Sequence, residues 1–312
     1  MQPAEAMQRG ERFPRVAIVV LNWRQVDDTL ACLESLRSLD YPCYQVVVVD
    51  NGSADGSAER IRERFADVTL IENARNLGFA GGNNIGINHA IQHDAEYVLL
   101  LNSDTVVSAD LLRELVTAAQ SDQRIGMLGP KIYYHHKSNV IWSAGGTLSR
   151  YGEPGHLRVN EVDELPGETI RDVDYVTGCA IMIKRSVIEQ VGLLDERFFI
   201  YFEEAEWCSR ARHAGYRVIY VPRARMWHKI RMDARNQSRR YLYFMARNRL
   251  LYLQCGGARP WVILVASLDL LRTAASWRLR PRHRELRPMS GAVLHGLGDF
   301  LRGRFGEPPA FP

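Results

Sequence analysis

Apolar residues along this chain fall into short unbroken runs, separated by longer stretches with helical spacing. Residues 16–22 (VAIVVLN), 45–50 (QVVVVD), 68–72 (VTLIE) and 96–101 (EYVLLL) are rich in β-branched residues or leucine and too short for typical helices. Such runs fit strands covered on both faces, as in a parallel sheet. Between them, residues 25–38 set Val26, Leu30, Leu33 and Leu36 near helical spacing. Residues 56–66 read as a short charged helix, and residues 82–93 and 108–120 as further helices. With a strand-like stretch at 125–132, the alternation predicts βαβ units in a parallel, doubly wound α/β sheet. Ligands of such sheets bind at the carboxyl ends of the strands. Here those ends are Asn22, Asp50-Asn51-Gly52 and Asn102-Ser103-Asp104.

Beyond residue 135 the alternation weakens. Residues 140–175 are rich in Gly, Pro and acids and read as loops with short antiparallel strands. Residues 173–184 read as a strand pair broken near Gly178, residues 203–213 as a helix and 217–221 as a strand. From 233 onward the chain reads as helical and Arg-rich. This divides it into a flexible N-terminus (1–14), a catalytic body (15–230) and a basic helical extension (231–312).

Composition is ordinary for a globular protein, with 46% apolar and 24% charged residues, which excludes a disordered, collagenous or coiled-coil chain. The net charge of +4 hides an asymmetry. Residues 1–220 hold 22 basic and 31 acidic groups, and residues 221–312 hold 18 and 5. A basic tail on an acidic body predicts an anionic partner for the tail. Five scattered cysteines without a CxxC pair, no apolar leader and no apolar run of about 20 residues predict a cytoplasmic protein with free thiols.

Several short stretches carry chemistry. Asp104, at a strand end, suits a hard divalent cation, which takes one or two carboxylates beside substrate phosphates; a cap or turn role is the alternative. Asp50 suits a base or ribose, whereas Asn51-Gly52 reads as a turn. The stretch from Asn76 through Gly78 to Asn84 is Gly-rich and opens a helix, so backbone and helix N-terminus are available to an anion. It fits neither GxGxxG nor a P-loop. Glu203 and Glu204 are adjacent behind the aromatic run 198–202, where burial of one raises its pKa toward that of a useful base. Glu206 and Arg210 are spaced to pair on the helix. His228 follows an apolar strand and reads as a structural histidine or as the completion of a metal site.

In order, VAIVVLNW, VVVVDNGSADGS, NARNLGFAGGNNIGI, VLLLNSDTVV, the long stretch from VTGCAIMIK to RMWH, and YLYFMARNRLLYL resemble family 2 glycosyltransferases of the GT-A fold, most closely a rhamnosyltransferase-like branch. The resemblance covers most of residues 16–253. It implies a GT-A (Rossmann-like) mostly parallel sheet flanked by helices, with a C-terminal helical extension. It implies Mg²⁺ or Mn²⁺ on Asp104 and His228, with Asn102 where many relatives carry a second Asp. Asn22, Asp50, Asn76, Gly78, Asn83 and Ser103 then belong to the donor site, and Gly178 and Glu203 to the acceptor side. Glu204 becomes the general base, in place of the Asp of the usual motif. The implied reaction is inverting transfer of one sugar from a nucleotide-diphosphate sugar, dTDP-rhamnose first and a UDP-hexose next, to a glycan or lipid-linked acceptor in cell-envelope polysaccharide synthesis.

Three other readings fit the sequence less well. A nucleotidyltransferase carries a Gly-rich loop after its first strand, where this chain has Asn22-Trp23-Arg24. A nucleic-acid-binding protein would show a recognition motif, and none is present. A processive synthase is suggested by Gln237-Ser238-Arg239-Arg240-Tyr241 but normally carries membrane spans. Finally, Trp261–Leu271 is apolar apart from Asp269 and is followed by Arg272, Arg278, Arg280, Arg282, Arg284 and Arg287, opposed by Glu285. This segment reads either as a core-packing helix or as a helix lying peripherally on an anionic membrane surface.

Overall fold

The computed structural model describes residues 12–164, 168–230 and 238–308. Most of the expected flexible N-terminus (1–11), and Gln237 of the synthase-like element, lie outside the described residues. Four parallel strands, β1 (Val16–Asn22), β2 (Tyr44–Asp50), β3 (Thr69–Glu72) and β4 (Tyr97–Asn102), are linked by α1 (Val26–Leu36), α2 (Ser57–Arg64) and α3 (Gly78–Gln92). Next in the chain are β5 (Thr105–Val107), α4 (Leu111–Ser121), β6 (Ile125–Tyr134) and β7 (Lys137–Ser143). A small hairpin, β8 (Gly146–Leu148) and β9 (Pro154–His156), stands apart from the main sheet. Then come β10 (Arg171–Asp172), β11 (Ala180–Lys184), α5 (Arg185–Val191), α6 (Glu203–His213) and β12 (Arg217–His228). The main sheet runs β10-β12-β6-β11-β4-β1-β2-β3, with β5 on β12 and β7 on β6. It is parallel from β4 to β3 and mixed beyond, because β11 runs antiparallel to both β4 and β6.

Side chains alternate across the pleat and build two cores. Val16, Ile18 and Val20 face α1, α2 and α4 through Leu30, Leu33, Ile61, Leu111 and Leu115. Ala17 and Val19 face α3, α5 and α6 through Ile87, Val187 and Trp207. Burial on both faces explains the unbroken apolar runs.

Four boundaries differ from the sequence expectation. Helix α3 begins at Gly78, not 82, so the Gly-rich stretch is its first turn. Strand β12 does not stop at 221 but continues to His228 past Pro222, through a register shift between Val221 and Arg225. Proline sits in sheets mainly at such irregularities, and here it hides the continuation. Residues 173–184 form no strand pair: the second limb is β11, and the first is held by a single bridge, Gly146 to Tyr175. Helix α5, directly after β11, is an element the sequence pattern does not predict.

Within 238–308 the chain is helical as expected: α7 (Arg239–Cys255), α8 (Pro260–Leu279), a 3₁₀ segment (Pro281–Met289) and α9 (Ser290–Leu301). Ser238 caps α7 by accepting the Tyr241 N–H at 3.1 Å. Helix α7 buries Tyr243, Phe244 and Leu251 against Phe198, Phe199 and Phe202. The aromatic run before α6 therefore packs on the C-terminal helices.

Candidate active site

The carboxyl ends of β1, β2 and β4 lie side by side, with Asn22 in register with Asp50 and Leu21 with Asn102. Asn22 Nδ2 donates to Asp50 Oδ1 at 2.6 Å, Ser53 Oγ donates to the same oxygen at 2.5 Å, and the Ser53 N–H reaches Oδ2 at 3.1 Å. Thr29 Oγ1 closes the set on Asn22 Oδ1 at 2.7 Å. Asn22 and Asp50 are buried, so they fix one another's pose at the strand ends. Ser103, also buried, donates to Gln25 Oε1 at 3.4 Å.

The loop into α3 is organised by Asn51. Its amide donates to Asn76 Oδ1 (3.0 Å) and the Gly78 carbonyl (2.9 Å), and its oxygen accepts from Asn73 Nδ2 and the Leu77 N–H, both at 3.1 Å. Asn76 Oδ1 also accepts the Gly78 N–H at 2.7 Å, and Asn83 Nδ2 donates to the Phe79 carbonyl at 2.9 Å. The first amides of α3, which the sequence offered to an anion, are taken: Phe79 and Ala80 N–H donate to the Phe199 carbonyl at 2.6 and 3.2 Å. Gly78 sits at φ +76°, and a Cβ there would lie 2.5 Å from the same carbonyl oxygen.

Strand β5 pairs with the end of β12, His228 opposite Thr105, and this register brings together residues 124 apart in sequence. His228 Nε2 lies 3.1 and 3.2 Å from the two Asp104 oxygens. Burial disfavours the imidazolium, but neighbouring Cys179 and the Asp104 carboxylate outweigh it and raise His228 above its ordinary value. Cys179 is itself pushed up by burial, so it is a neutral thiol at neutral pH and the charge His228 meets is that of Asp104. Burial raises Asp104 in turn, but the His228 hydrogen bond and charge, a backbone N–H and Lys229 bring it below the usual carboxylate range.

The pair fits a divalent ion. Two ligands at about 2.1 Å on adjacent corners of an octahedron lie about 3 Å apart, as this oxygen and nitrogen do. Among the described residues no cluster of three or more His, Cys, Asp or Glu is present, so substrate oxygens and water would complete the shell. The structure records no contact of the Asn102 side chain with the pair; its backbone N–H donates to the Cys179 carbonyl at 2.9 Å.

Glu203 and Glu204 open α6. The Glu203 side chain is buried with Oε2 unpaired, and burial together with the Glu204 charge raises it well above its ordinary value. Burial also raises Glu204 above its ordinary value, and backbone N–H groups, including that of Gly178, offset this only in part. Burial thus disfavours charge on both carboxyls, and the backbone N–H groups around Glu204 favour its ionised form over that of Glu203. Gly178 packs closely here: a Cβ would lie 3.0 Å from the Phe79 ring, which would have to give by a few tenths of an ångström. Residues 178–179 thus touch both halves of the site, Glu204 through Gly178 and His228 through Cys179. Glu206 plays no part in this: Arg210 Nε binds both its oxygens at 2.8 and 2.9 Å.

The loop bearing Glu203 is strained, with Phe199, Tyr201 and Phe202 at φ +66°, +69° and +76°. Bulky residues reach this region only when their surroundings compel it. Asn248 of α7 compels it, donating to the carbonyls of Phe198 (2.9 Å), Ile200 (2.9 Å) and Tyr201 (2.8 Å). Arg247, fully buried beside it, binds the carbonyls of Arg197 (3.2 Å), Phe198 (3.0 Å) and Gly306 (2.9 Å).

A sequence model described as "Glycosyltransferase like family 2" matches residues 14–250. The chain belongs to this family. It is 32% identical over 242 residues to the low-salt glycan biosynthesis hexosyltransferase Agl10 of Haloferax volcanii, covering 76% of this chain and 74% of that one. It is 28% identical over 203 residues to the N-acetylglucosaminyl-diphospho-decaprenol L-rhamnosyltransferase of Mycobacterium tuberculosis, 59% of this chain and 66% of that one. Among solved structures it resembles the mannosyltransferase PcManGT of Pyrobaculum calidifontis in complex with GDP-Man and Mn²⁺, with a TM-score of 0.57, 17% identity, and coverage of 94% and 88% of the two chains. The fold is GT-A, and the protein is a glycosyltransferase that uses a nucleotide-sugar donor.

Within this family 2 glycosyltransferase, sequence reasoning missed several contributors. Trp142 lies with its ring centroid 4.8 Å from that of His228 and 4.8 Å from that of His156. Burial, with His228 nearby, pushes His156 down to about 4, so it is a neutral imidazole. Tyr201 and Tyr241 meet edge to face at 5.2 Å beside the acidic pair. Asn84 ties α3 to the Leu194 backbone from both sides, at 2.9 and 3.1 Å. An Asn inside an apolar helix was the available signal for this last one. A separate concavity of about 900 Å³ beside Lys131 is no rival site. Lys131 is neutralised there by Asp163 and Glu168, each at 2.8 Å.

Proposed function

We propose that this enzyme transfers one sugar, with inversion, from a nucleotide-diphosphate sugar to a hydroxyl of a lipid-linked glycan acceptor. The supporting observation is the meeting, around residues 178–179, of a carboxylate–imidazole pair at the strand ends and a buried acidic pair whose Glu204 faces backbone N–H groups. Glu204 takes the proton of the acceptor hydroxyl as that oxygen attacks the anomeric carbon. The attack comes from the face opposite the leaving diphosphate, so one displacement inverts the centre without a covalent enzyme intermediate. Asp104 and His228 would hold Mg²⁺ or Mn²⁺, which when bound neutralises the charge of the departing diphosphate. Asn22, Asp50 and Ser103 shape the floor under the nucleoside, and the loop through Asn76 and Gly78 forms its wall. Glu203, protonated, fixes the pose of Glu204. The relative from M. tuberculosis supports rhamnose as the sugar and a polyprenyl-diphosphate-linked sugar as acceptor, and similarity to the dTDP-rhamnosyl transferase RfbF of Shigella flexneri supports dTDP-rhamnose as first donor.

The test is a panel of dTDP- and UDP-sugars with Mg²⁺ or Mn²⁺ and a polyprenyl-diphosphate acceptor, with product configuration read by NMR. The expected product has the inverted anomer. Glu204→Gln should lower turnover by at least about a thousandfold and leave donor affinity within a few-fold. A retained configuration, or an active Glu204→Gln enzyme beside an inactive Glu203→Gln enzyme, overturns the assignment.

A further inference from the structure

Helix α8 carries large apolar residues on two opposite faces, more than one buried face requires. One half is covered: Val262, Ile263, Ala266 and Leu270 pack with Leu250, Leu253 and Leu297. The other half is bare. Trp261, Leu264, Val265, Leu268, Leu271 and Leu279 project from it at 39–77% exposure. At 100° per residue they fall within one face; from Trp261 to Leu271 the stripe is about 15 Å long at 1.5 Å per residue, and Leu279 follows on the same face beyond Arg272 and Ala275. Single exposed leucines are unremarkable, but a continuous stripe of this length marks a contact surface.

The basic segment beyond the stripe selects the partner. Arg278, Arg280, Arg282, Arg284 and Arg287 extend from its end, and among the described residues none has a carboxylate partner; Arg278 reaches Ser290 and Arg282 reaches His283. Arg272, 83% exposed in its side chain, stands within the stripe and pairs with Asp269. A second copy of the chain would bring the same arginines to the interface. An anionic lipid surface offers both an apolar layer for the stripe and phosphate for the arginines. Among the described residues no helix is long and apolar enough to cross a membrane.

We infer that the outer face of α8 and the 3₁₀ segment after it form a docking surface for an anionic bilayer, with α8 lying in the plane of the interface. The inference deepens the proposed lipid-linked acceptor by naming the surface on which it is met. The fold connects that surface to the catalytic centre through the β8–β9 hairpin. At one end Tyr151 meets the Trp261 ring edge to face at 6.5 Å, and the Arg150 guanidinium lies 5.9 Å from the same ring. At the other end His156 packs on Trp142, which packs on His228. Docking therefore sets the lipid surface against the hairpin that reaches His228 through Trp142.

The experiment is co-sedimentation of the full chain with phosphatidylcholine vesicles, with and without phosphatidylglycerol, at low and high salt. Binding should require phosphatidylglycerol and weaken in high salt. Replacing Arg280, Arg282, Arg284 and Arg287 with Gln should weaken it on the order of 1,000-fold at low salt. Leu264→Asp with Leu268→Asp should abolish binding, leaving the melting temperature and transfer to a short water-soluble acceptor unchanged. Sedimentation involves no turnover, so its outcome is separate from that of the transfer assay. Equal binding to neutral vesicles, no binding at low salt, or a dimer in ultracentrifugation that the double variant dissociates would each overturn the inference.

Discussion

Replacing Asn248 with Ala should disable the catalytic loop from a distance. The Asn248 amide donates to three carbonyls in the loop before Glu203. Phe198 O keeps donors in Arg247 and the Ile200 N–H, whereas among the described residues Ile200 O and Tyr201 O have no other donor. A buried carbonyl left unpaired costs about 1–3 kcal/mol, so two cost roughly 2–6 kcal/mol if the loop stays in place. The loop has a reason to move, since each positive-φ residue stores about 1–3 kcal/mol of strain, and there are three of them. Relaxation would limit the stability loss to about 3 kcal/mol, near 6–10 °C in melting temperature for a chain of this size, at the expense of the Glu203–Glu204 pose. The expected signature is a tenfold or larger fall in kcat with donor KM little changed. Asn248→Asp should be worse, because it turns a carboxylate toward three carbonyl oxygens. Steady-state kinetics and thermal melts decide the matter: an Asn248→Ala enzyme within twofold in kcat and 2 °C in melting temperature would show that the amide does not hold the loop.

The same geometry predicts further outcomes. Glu203 has its folded pKa raised by burial and by the Glu204 charge, so its contribution to stability is full below its unfolded pKa and is lost as pH rises through the folded value. Glu203→Gln should therefore keep turnover and raise the melting temperature more at pH 8 than at pH 5; a pH-independent difference would remove the proton from Glu203. Gly78→Ala forces a Cβ to 2.5 Å from the Phe199 carbonyl at φ +76°, and should lower stability by at least about 2 kcal/mol; chemical denaturation showing less than 0.5 kcal/mol (roughly the noise of surface substitutions) would contradict the packing. Asp104→Ala should weaken Mn²⁺ binding, read by electron paramagnetic resonance, by at least about tenfold, and His228→Ala by less, because water can replace a neutral ligand more readily than an anionic one. Unchanged Mn²⁺ affinity in Asp104→Ala would take the ion elsewhere.

What the sequence could reveal about this enzyme divides along the range of the interactions involved. The parallel strands were legible because burial on two faces leaves a local mark, the unbroken runs at 16–22 and 45–50. The strand-end residues were legible for the same reason, since the end of a run locates the end of a strand. Asp104 and His228 could each be suspected alone, but their contact depends on the register of β5 against a β12 that continues past Pro222, and no local pattern fixes a register across 124 residues. The α3 N-terminus shows the opposite error. Its glycines and free amides suggested an anion site by a sound local rule, and a carbonyl from residue 199 occupies it. The loop at 199–202 was least legible of all. Aromatic residues are poor candidates for left-handed backbone, so nothing in FFIYF suggests three such positions. The signal lay instead some 50 residues downstream, in an Arg-Asn pair on an otherwise apolar helix face. A buried arginine and asparagine are costly unless each finds acceptors, and the carbonyls exposed by a strained loop are acceptors that regular secondary structure leaves unused.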